Sequence, residues 1–149
     1  MKYAVGTIHK TNMRDEYEVI EYESASRITI RFTATGYIRT AETGMLNFGS
    51  IKDRLKPLVF GVGFLGVGKH GYKKDRVIHA KWRTMLSHVY GENHSMKIIK
   101  HNRVMYEPWH NFQTFCDWYY ANGGNNRSRL VHNNKSIFYG PITYKVINK

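Results

Sequence analysis

Residues 17–40 read Tyr17-Glu18-Val19-Ile20-Glu21-Tyr22-Glu23-Ser24-Ala25-Ser26-Arg27-Ile28-Thr29-Ile30-Arg31-Phe32-Thr33-Ala34-Thr35-Gly36-Tyr37-Ile38-Arg39-Thr40. The run Tyr17 to Tyr22 is rich in β-branched and aromatic residues and stops at Ser24-Ala25-Ser26. Ile28 to Phe32 alternates apolar with polar, Thr35-Gly36 is a turn signal, and Tyr37 to Thr40 resumes the pattern. Successive side chains of a strand point to opposite faces, so Ile28, Ile30 and Phe32 share an apolar face and Arg27, Thr29 and Arg31 the other. The pattern predicts an antiparallel β-meander over residues 1–56. With Tyr3 to Ile8 as a further strand it can close into an SH3-like small barrel. The Arg27/Thr29/Arg31 face then either meets solvent or contacts phosphate.

Working outward, residues 57–76 hold five glycines between Gly61 and Gly71 and no helical period, which predicts an extended connector ending in a basic loop. Gly61, Gly63 and Gly66 match G-x-G-x-x-G formally. No helix pattern follows directly and no acidic residue stands where a dinucleotide site needs one, so the spacing argues against such a site. Residues 77–149 predict an α+β module. Ile78, Trp82, Met85, Leu86 and Val89 recur at helical spacing, with Lys81 and Arg83 on other faces and Gly91 as the stop. Lys97 to Lys100 and Arg103 to Tyr106 read as short strands about His101-Asn102. A second helix follows, capped by Asn111, buried through Phe112, Phe115, Cys116 and Tyr119, and closed by Asn122-Gly123-Gly124. Trp82, Trp109 and Trp118 are expected in the core. The tail predicts a hairpin of Arg129 to His132 and Ile137 to Tyr139 about Asn133-Asn134-Lys135, then a bend at Gly140-Pro141 before Thr143 to Ile147. The fold class is therefore α+β: a meander, then a helix/hairpin/helix/hairpin basic module.

Charge is the strongest functional signal. The 149 residues carry a net charge of +12. Residues 1–53 hold seven Lys and Arg against seven Asp and Glu, while residues 54–149 hold sixteen against four, so the surplus lies wholly in the later part. Basic charge concentrated in one segment and interleaved with aromatics is the footprint of a surface that meets phosphates and releases their counterions. An acidic partner protein is the other class of anion that fits. One cysteine, Cys116, excludes an internal disulfide framework and suits a reducing cytosol. No apolar run approaches a membrane span of about 20 residues, and the N-terminus lacks a secretory pattern, so no membrane partner is expected.

The order of motifs also resembles a family. Tyr17 to Tyr22, Ile30 to Tyr37, Lys52 to Phe64, Trp82 to Leu86, Trp109 to Phe115, Asn134-Lys135 and Ile147-Asn148 together resemble small tailed-phage proteins of the HNH type, akin to homing endonucleases. The resemblance covers most of the chain and implies double-stranded DNA as partner and the cytoplasm of an infected host cell as location. It implies a catalytic set in the terminal hairpin, with His132 as general base beside Asn134 and Asn148, and a divalent Mg²⁺ or Mn²⁺. Where the family carries an acidic pair, this chain has Arg127-Ser128-Arg129. The metal-binding helix would begin where the chain stops at Lys149, so the site is expected to be degenerate or truncated. Either the protein binds DNA with weak or no cleavage and no cofactor, or it cleaves with a metal ligand lent by Asp117 or Glu107. A third possibility is a phage accessory or inhibitor protein that binds an acidic host protein.

On any DNA reading the phosphate contacts are expected from Lys69, Lys73, Lys74 and Arg76 of the basic loop and from Arg127, Arg129 and Lys135 of the tail. Base contacts are expected from the helix face around Lys81 and Arg83 or from the Arg27/Arg31 strand face. His88, His94, His101 and His110 lie near Glu92 and Glu107, but their spacings match no zinc pattern and scattered surface histidines account for them.

Overall fold

The computed structural model describes residues 1–91 and 102–148 and divides them into two compact units, Met1–Lys56 and Pro57–Lys149. The expected strand Lys97 to Lys100, together with His94 and His101, lies outside the described residues.

The first unit is a four-stranded antiparallel sheet: β1 (Ile8–Lys10), β2 (Glu16–Ser24), β3 (Arg27–Phe32) and β4 (Ile38–Ala41), in the order β1-β2-β3-β4. Register pairs Tyr17 with Phe32, Val19 with Ile30 and Ile28 with Ala41, which puts six apolar side chains on one face. They form a core with Tyr3, Leu46 and Ile51. β1 starts later than the sequence suggests because Gly6 adopts φ 91° and donates its N–H to Val19 O, which interrupts the extended run. Tyr3 reaches the core from outside any strand, its hydroxyl donating to Asn47 Oδ1 at 2.8 Å. Register shifts at Val19/Glu21 and Tyr22/Ser24 bend the long β2.

A short helix, α1 (Thr43–Phe48), follows the sheet and buries Leu46, although the first 50 residues read as strands throughout. Its six residues show less than two turns of periodicity, and Gly44 inside it weakens the helical signal further. Gly49 ends it at φ 64° with its N–H on Leu46 O.

The second unit is built on α2 (Arg76–Tyr90) and α3 (Phe112–Ala121). α2 buries Ile78, Trp82, Met85, Leu86 and Val89, the positions its apolar period selects. α3 opens as expected at Asn111, whose side chain accepts the N–H of Gln113, and buries Phe112, Phe115, Cys116 and Tyr119 along with Gln113. Burial pushes the Cys116 thiol well above its ordinary range. A 3₁₀ turn, Glu107–His110, unmarked by any period, drives Trp109 into the core, where Trp82 Nε1 donates to its carbonyl at 2.7 Å. Trp82 and Trp109 are fully buried, and Trp118 packs against the same core. Full burial of a side chain this size contributes on the order of 2–3 kcal/mol.

The strand partners differ from expectation. β5 (Val104–Met105), β6 (Arg129–His132), β7 (Phe138–Tyr139) and β8 (Tyr144–Ile147) form two ribbons, β5 parallel with β7 and β6 antiparallel with β8. The tight hairpin expected between Arg129–His132 and Ile137–Tyr139 is replaced by pairing of His132 with Tyr144 and Arg129 with Ile147. The local turn at Asn133 forms, with Lys135 N–H on its Oδ1 and Ser136 N–H on its carbonyl, yet it sends the chain away from β6. Asn133 N–H bonds Thr143 O, and Phe138 gives its carbonyl to Thr143 Oγ1 at 2.8 Å, so residues 133–143 form a broad loop with β7 inside it.

Candidate nucleic-acid interface

The basic loop before α2 is held by a few buried polar groups. Gln113 Oε1 accepts the N–H of His70 at 3.0 Å, and its Nε2 donates to Leu65 O and His70 O at 2.9 and 2.8 Å. Gly66 and Gly68 lie so close to Asn111 and Gln113 that a Cβ at either would overlap those side chains. Two glycines of the connector are therefore required by this close approach to α3 rather than by a phosphate.

His70, only 5% exposed, stands between two carboxylates, Nε2 3.0 Å from Asp117 Oδ1 and Nδ1 3.5 Å from Asp75 Oδ2. It stacks on Tyr120, whose hydroxyl donates to Asp75 Oδ1 at 2.6 Å. Burial alone would raise the Asp75 carboxyl, but hydrogen bonds from Tyr120 and the Gly71 N–H, with the His70 charge, outweigh it and hold Asp75 below its usual value. Asp75 thus turns inward, while Lys69, Lys73, Lys74 and Arg76 around it are exposed.

Beside this loop runs an open groove of about 920 Å³. One wall is the face of α2 carrying Arg76, Val77, Ala80, Lys81, Thr84 and His88, at the spacing of three and four that keeps residues on one side of a helix. Leu130, His132, Asn134, Tyr139 and Tyr144 also line it, as does Arg103. Among the described residues, no Asp or Glu lines it. Arg103 is held by Nη1 donating to His88 O at 3.0 Å and by lying 5.8 Å over the Tyr139 ring. Below it His132 stacks on Tyr139 with ring centroids 4.1 Å apart and lies 4.6 Å from Tyr144. Burial pushes the Tyr144 hydroxyl up and Tyr139 adds to this, against the opposing pull of Arg103.

The sequence-selected residues fall into three sets. Arg76, Lys81, His132 and Asn134 come together in the groove. Lys69, Lys73, Lys74, Arg127, Arg129 and Lys135 are exposed elsewhere on the same unit. Arg83 leaves the set expected of it: it lies on another face of α2, 5.5 Å over the Phe60 ring, so Lys81 and Arg83 do not make one reading face. In the first unit, Arg27 pairs with Glu23 at 3.2 Å and Arg31 with Glu18 at 3.1 Å, so that strand face is charge-balanced.

The expected catalytic set does not converge. His132 Nε2 donates to Phe138 O at 2.9 Å, which leaves Nδ1 as the acceptor of the neutral ring. Asn148 belongs to the far end of the β6–β8 ribbon, four residues beyond the Tyr144 that faces His132, or about 13 Å along a strand. There its Oδ1 accepts from Ser128 Oγ and its Nδ2 donates to Gly123 O at 2.9 Å, a clasp that closes the ribbon. Ser128, where the resemblance would have an acid, is buried in that clasp. Asp117 faces His70, and neither it nor Glu107 lines the groove. Among the described residues, no three of His, Cys, Asp or Glu gather as a metal-holding group. His132 and Asn134 without a carboxylate do not suit Mg²⁺ or Mn²⁺, which are held by oxygen donors including carboxylates.

Of the remaining histidines, His110 accepts from or donates to Tyr90 Oη at 2.6 Å, and burial outweighs Glu107 to lower its pKa. His79 packs edge-on against Trp82 and Phe112, and burial, then Arg83, lowers its pKa. Sequence reading missed Arg103, which looked like one residue of a short strand, and the His70–Asp75–Asp117 cluster, whose members are up to 47 positions apart. The cations Lys97, Lys100 and Arg103 at intervals of three, ahead of Tyr106 and Trp109, are the signal that could have drawn attention to it. No known protein family, no curated protein and no solved structure matches the chain. Among the described residues, no helix is long and apolar enough to cross a membrane.

Proposed function

We propose that the chain is a double-stranded-DNA-binding protein of HNH-endonuclease descent that acts in the cytoplasm of a phage-infected cell and cleaves DNA weakly or not at all. The observation that carries this reading is the cationic surface of the second unit, exposed Lys69, Lys73, Lys74, Arg127, Arg129 and Lys135 together with a groove lined by Arg76, Lys81 and Arg103 and by no carboxylate among the described residues. Phosphates are attracted by such a surface from any direction, whereas an acid in the groove would both repel them and invite a metal. Lys69, Lys73, Lys74, Arg127, Arg129 and Lys135 extend the cationic surface beyond the groove. In this reading the second unit is the basic DNA-binding module, and the bent β2 of the first unit serves an SH3-like barrel.

Mobility shift of a duplex across a salt series tests it. With about four phosphates neutralised, affinity should fall roughly a hundredfold between 50 and 200 mM salt. Salt-independent binding would remove the electrostatic reading. Absence of duplex binding combined with capture of an acidic host protein would favour an accessory or inhibitor role.

A further inference from the structure

We infer that the groove takes a short unpaired strand of DNA, a few nucleotides long, so that the protein prefers duplexes interrupted by single-stranded segments. The inference rests on the DNA-binding reading and specifies what enters this one site. Three observations support it.

The first is size. At about 920 Å³ the groove is comparable to the largest small-molecule sites, which reach about 1,000 Å³. A few nucleotides in single file fit such a space. A duplex, whose major groove alone is about 12 Å wide, does not.

The second is the run of charge along the groove. Arg76 and Lys81 stand on α2, and Arg103 is hydrogen-bonded to the carbonyl of His88, twelve residues on from Arg76 or about 18 Å along the helix, so a single backbone lying along α2 meets a cation near each end and one between them.

The third is the kind of surface offered. Arg103 presents a guanidinium fixed by the His88 carbonyl and the Tyr139 ring, beside a His132 ring stacked on Tyr139. Flat cationic and aromatic surfaces bind base faces, and in a duplex those faces are covered by neighbouring pairs. Thr84 and Asn134, both exposed in the groove, add donors and acceptors suited to base edges that are open only when unpaired.

The experiment compares the affinity of the full chain for an intact duplex and for the same duplex carrying a gap of about four nucleotides, a length suited to a single-strand site. The gapped form should bind about tenfold tighter, the effect of stacking one base. Arg103→Ala should bring the ratio close to one. Arg103→Lys keeps the charge but not the plane, so it should retain the salt dependence and lose most of the gap preference. Lys73→Ala with Lys74→Ala, outside the groove, should weaken both forms alike. Equal affinity of the unmodified protein for both duplexes, or a full preference surviving in Arg103→Lys, overturns the inference and leaves the DNA-binding reading standing. Failure to bind either duplex overturns both.

Discussion

Arg31 on β3 and Arg129 on β6 are both exposed strand arginines, yet their surroundings differ. Arg31 lies directly across from Glu18 and pairs with it at 3.1 Å, and Arg27 pairs with Glu23. Arg129 lies across from Ile147 on a ribbon that carries no acid. The contrast extends to the two units, nine Lys and Arg against seven Asp and Glu in Met1–Lys56 and fourteen against four in Pro57–Lys149. A cation with its own carboxylate beside it contributes about 0–1 kcal/mol to a fold and little field to solvent. A cation without one adds to the potential that draws in a polyanion. Composition in a window of sequence therefore says less about function than the local pairing of charges does.

The largest way to break the comparison is to remove the tail. Truncation after Asn126 deletes Leu130, Tyr139, Tyr144 and Val146, which belong to or pack on the core of the second unit, together with five basic residues. Losing even one buried aromatic costs on the order of 3–5 kcal/mol against a typical domain stability of about 5–15 kcal/mol, so the second unit should lose its fold and DNA binding with it. The sheet of the first unit, with its own core, should keep slow amide exchange in β2 and β3. Fast exchange there in the truncated protein would show that the units fold only together.

A smaller and sharper break exchanges charges. Arg76→Ala, Lys81→Ala and Arg103→Ala combined should lower affinity for a gapped duplex about a hundredfold and flatten the salt dependence by about 0.7 log unit for each single-strand phosphate no longer neutralised. Arg27→Ala with Arg31→Ala should change affinity by less than about twofold, since a cation already paired with a glutamate offers phosphate little to bind. Equal losses from the two sets would show that the strand face of the first unit also meets DNA.

Periodic elements were legible in the sequence and long-range pairings were not. Every buried apolar position of α2 follows from the spacing of Ile78, Trp82, Met85, Leu86 and Val89, and the Asn111 cap from residue type alone. The meander was readable because its strands alternate and pair with sequence neighbours. β7 misled because the turn at Asn133 forms as its residues suggest while the strand after it pairs with β5, more than thirty positions away. α1 is too short to show a period, and the 3₁₀ turn holding Trp109 has none. In the groove, Arg76, Lys81, His132 and Asn134 were all visible as charge or motif, but that Arg83 stands apart and Arg103 joins them is decided by the direction each side chain takes from its element.

The smallest expected effect concerns cleavage. His132 has the features of a base, a tautomer set by the Phe138 carbonyl and a place in a cationic groove. Phosphodiester hydrolysis by a metal also needs a ligand set for the ion, and Asp117 is engaged with His70 while Ser128, which stands where an acid was expected, is engaged with Asn148. Nicking of supercoiled plasmid with Mg²⁺ or Mn²⁺ should therefore stay near background. His132→Ala should weaken binding a few-fold through loss of its stack on Tyr139, with no change in that background. Ser128→Asp, which would put an acid where the proposed HNH descent would have one, should instead place a carboxylate in a buried clasp and cost about 2–4 kcal/mol, read as a lower thermal midpoint without new nicking. Strong Mg²⁺-dependent nicking that His132→Ala abolishes while affinity is preserved would reverse this. The ribbon would then be a working catalytic element, Asp117 and Glu107 would be the carboxylates to replace next, and the second unit would differ from the first in chemistry as well as in charge.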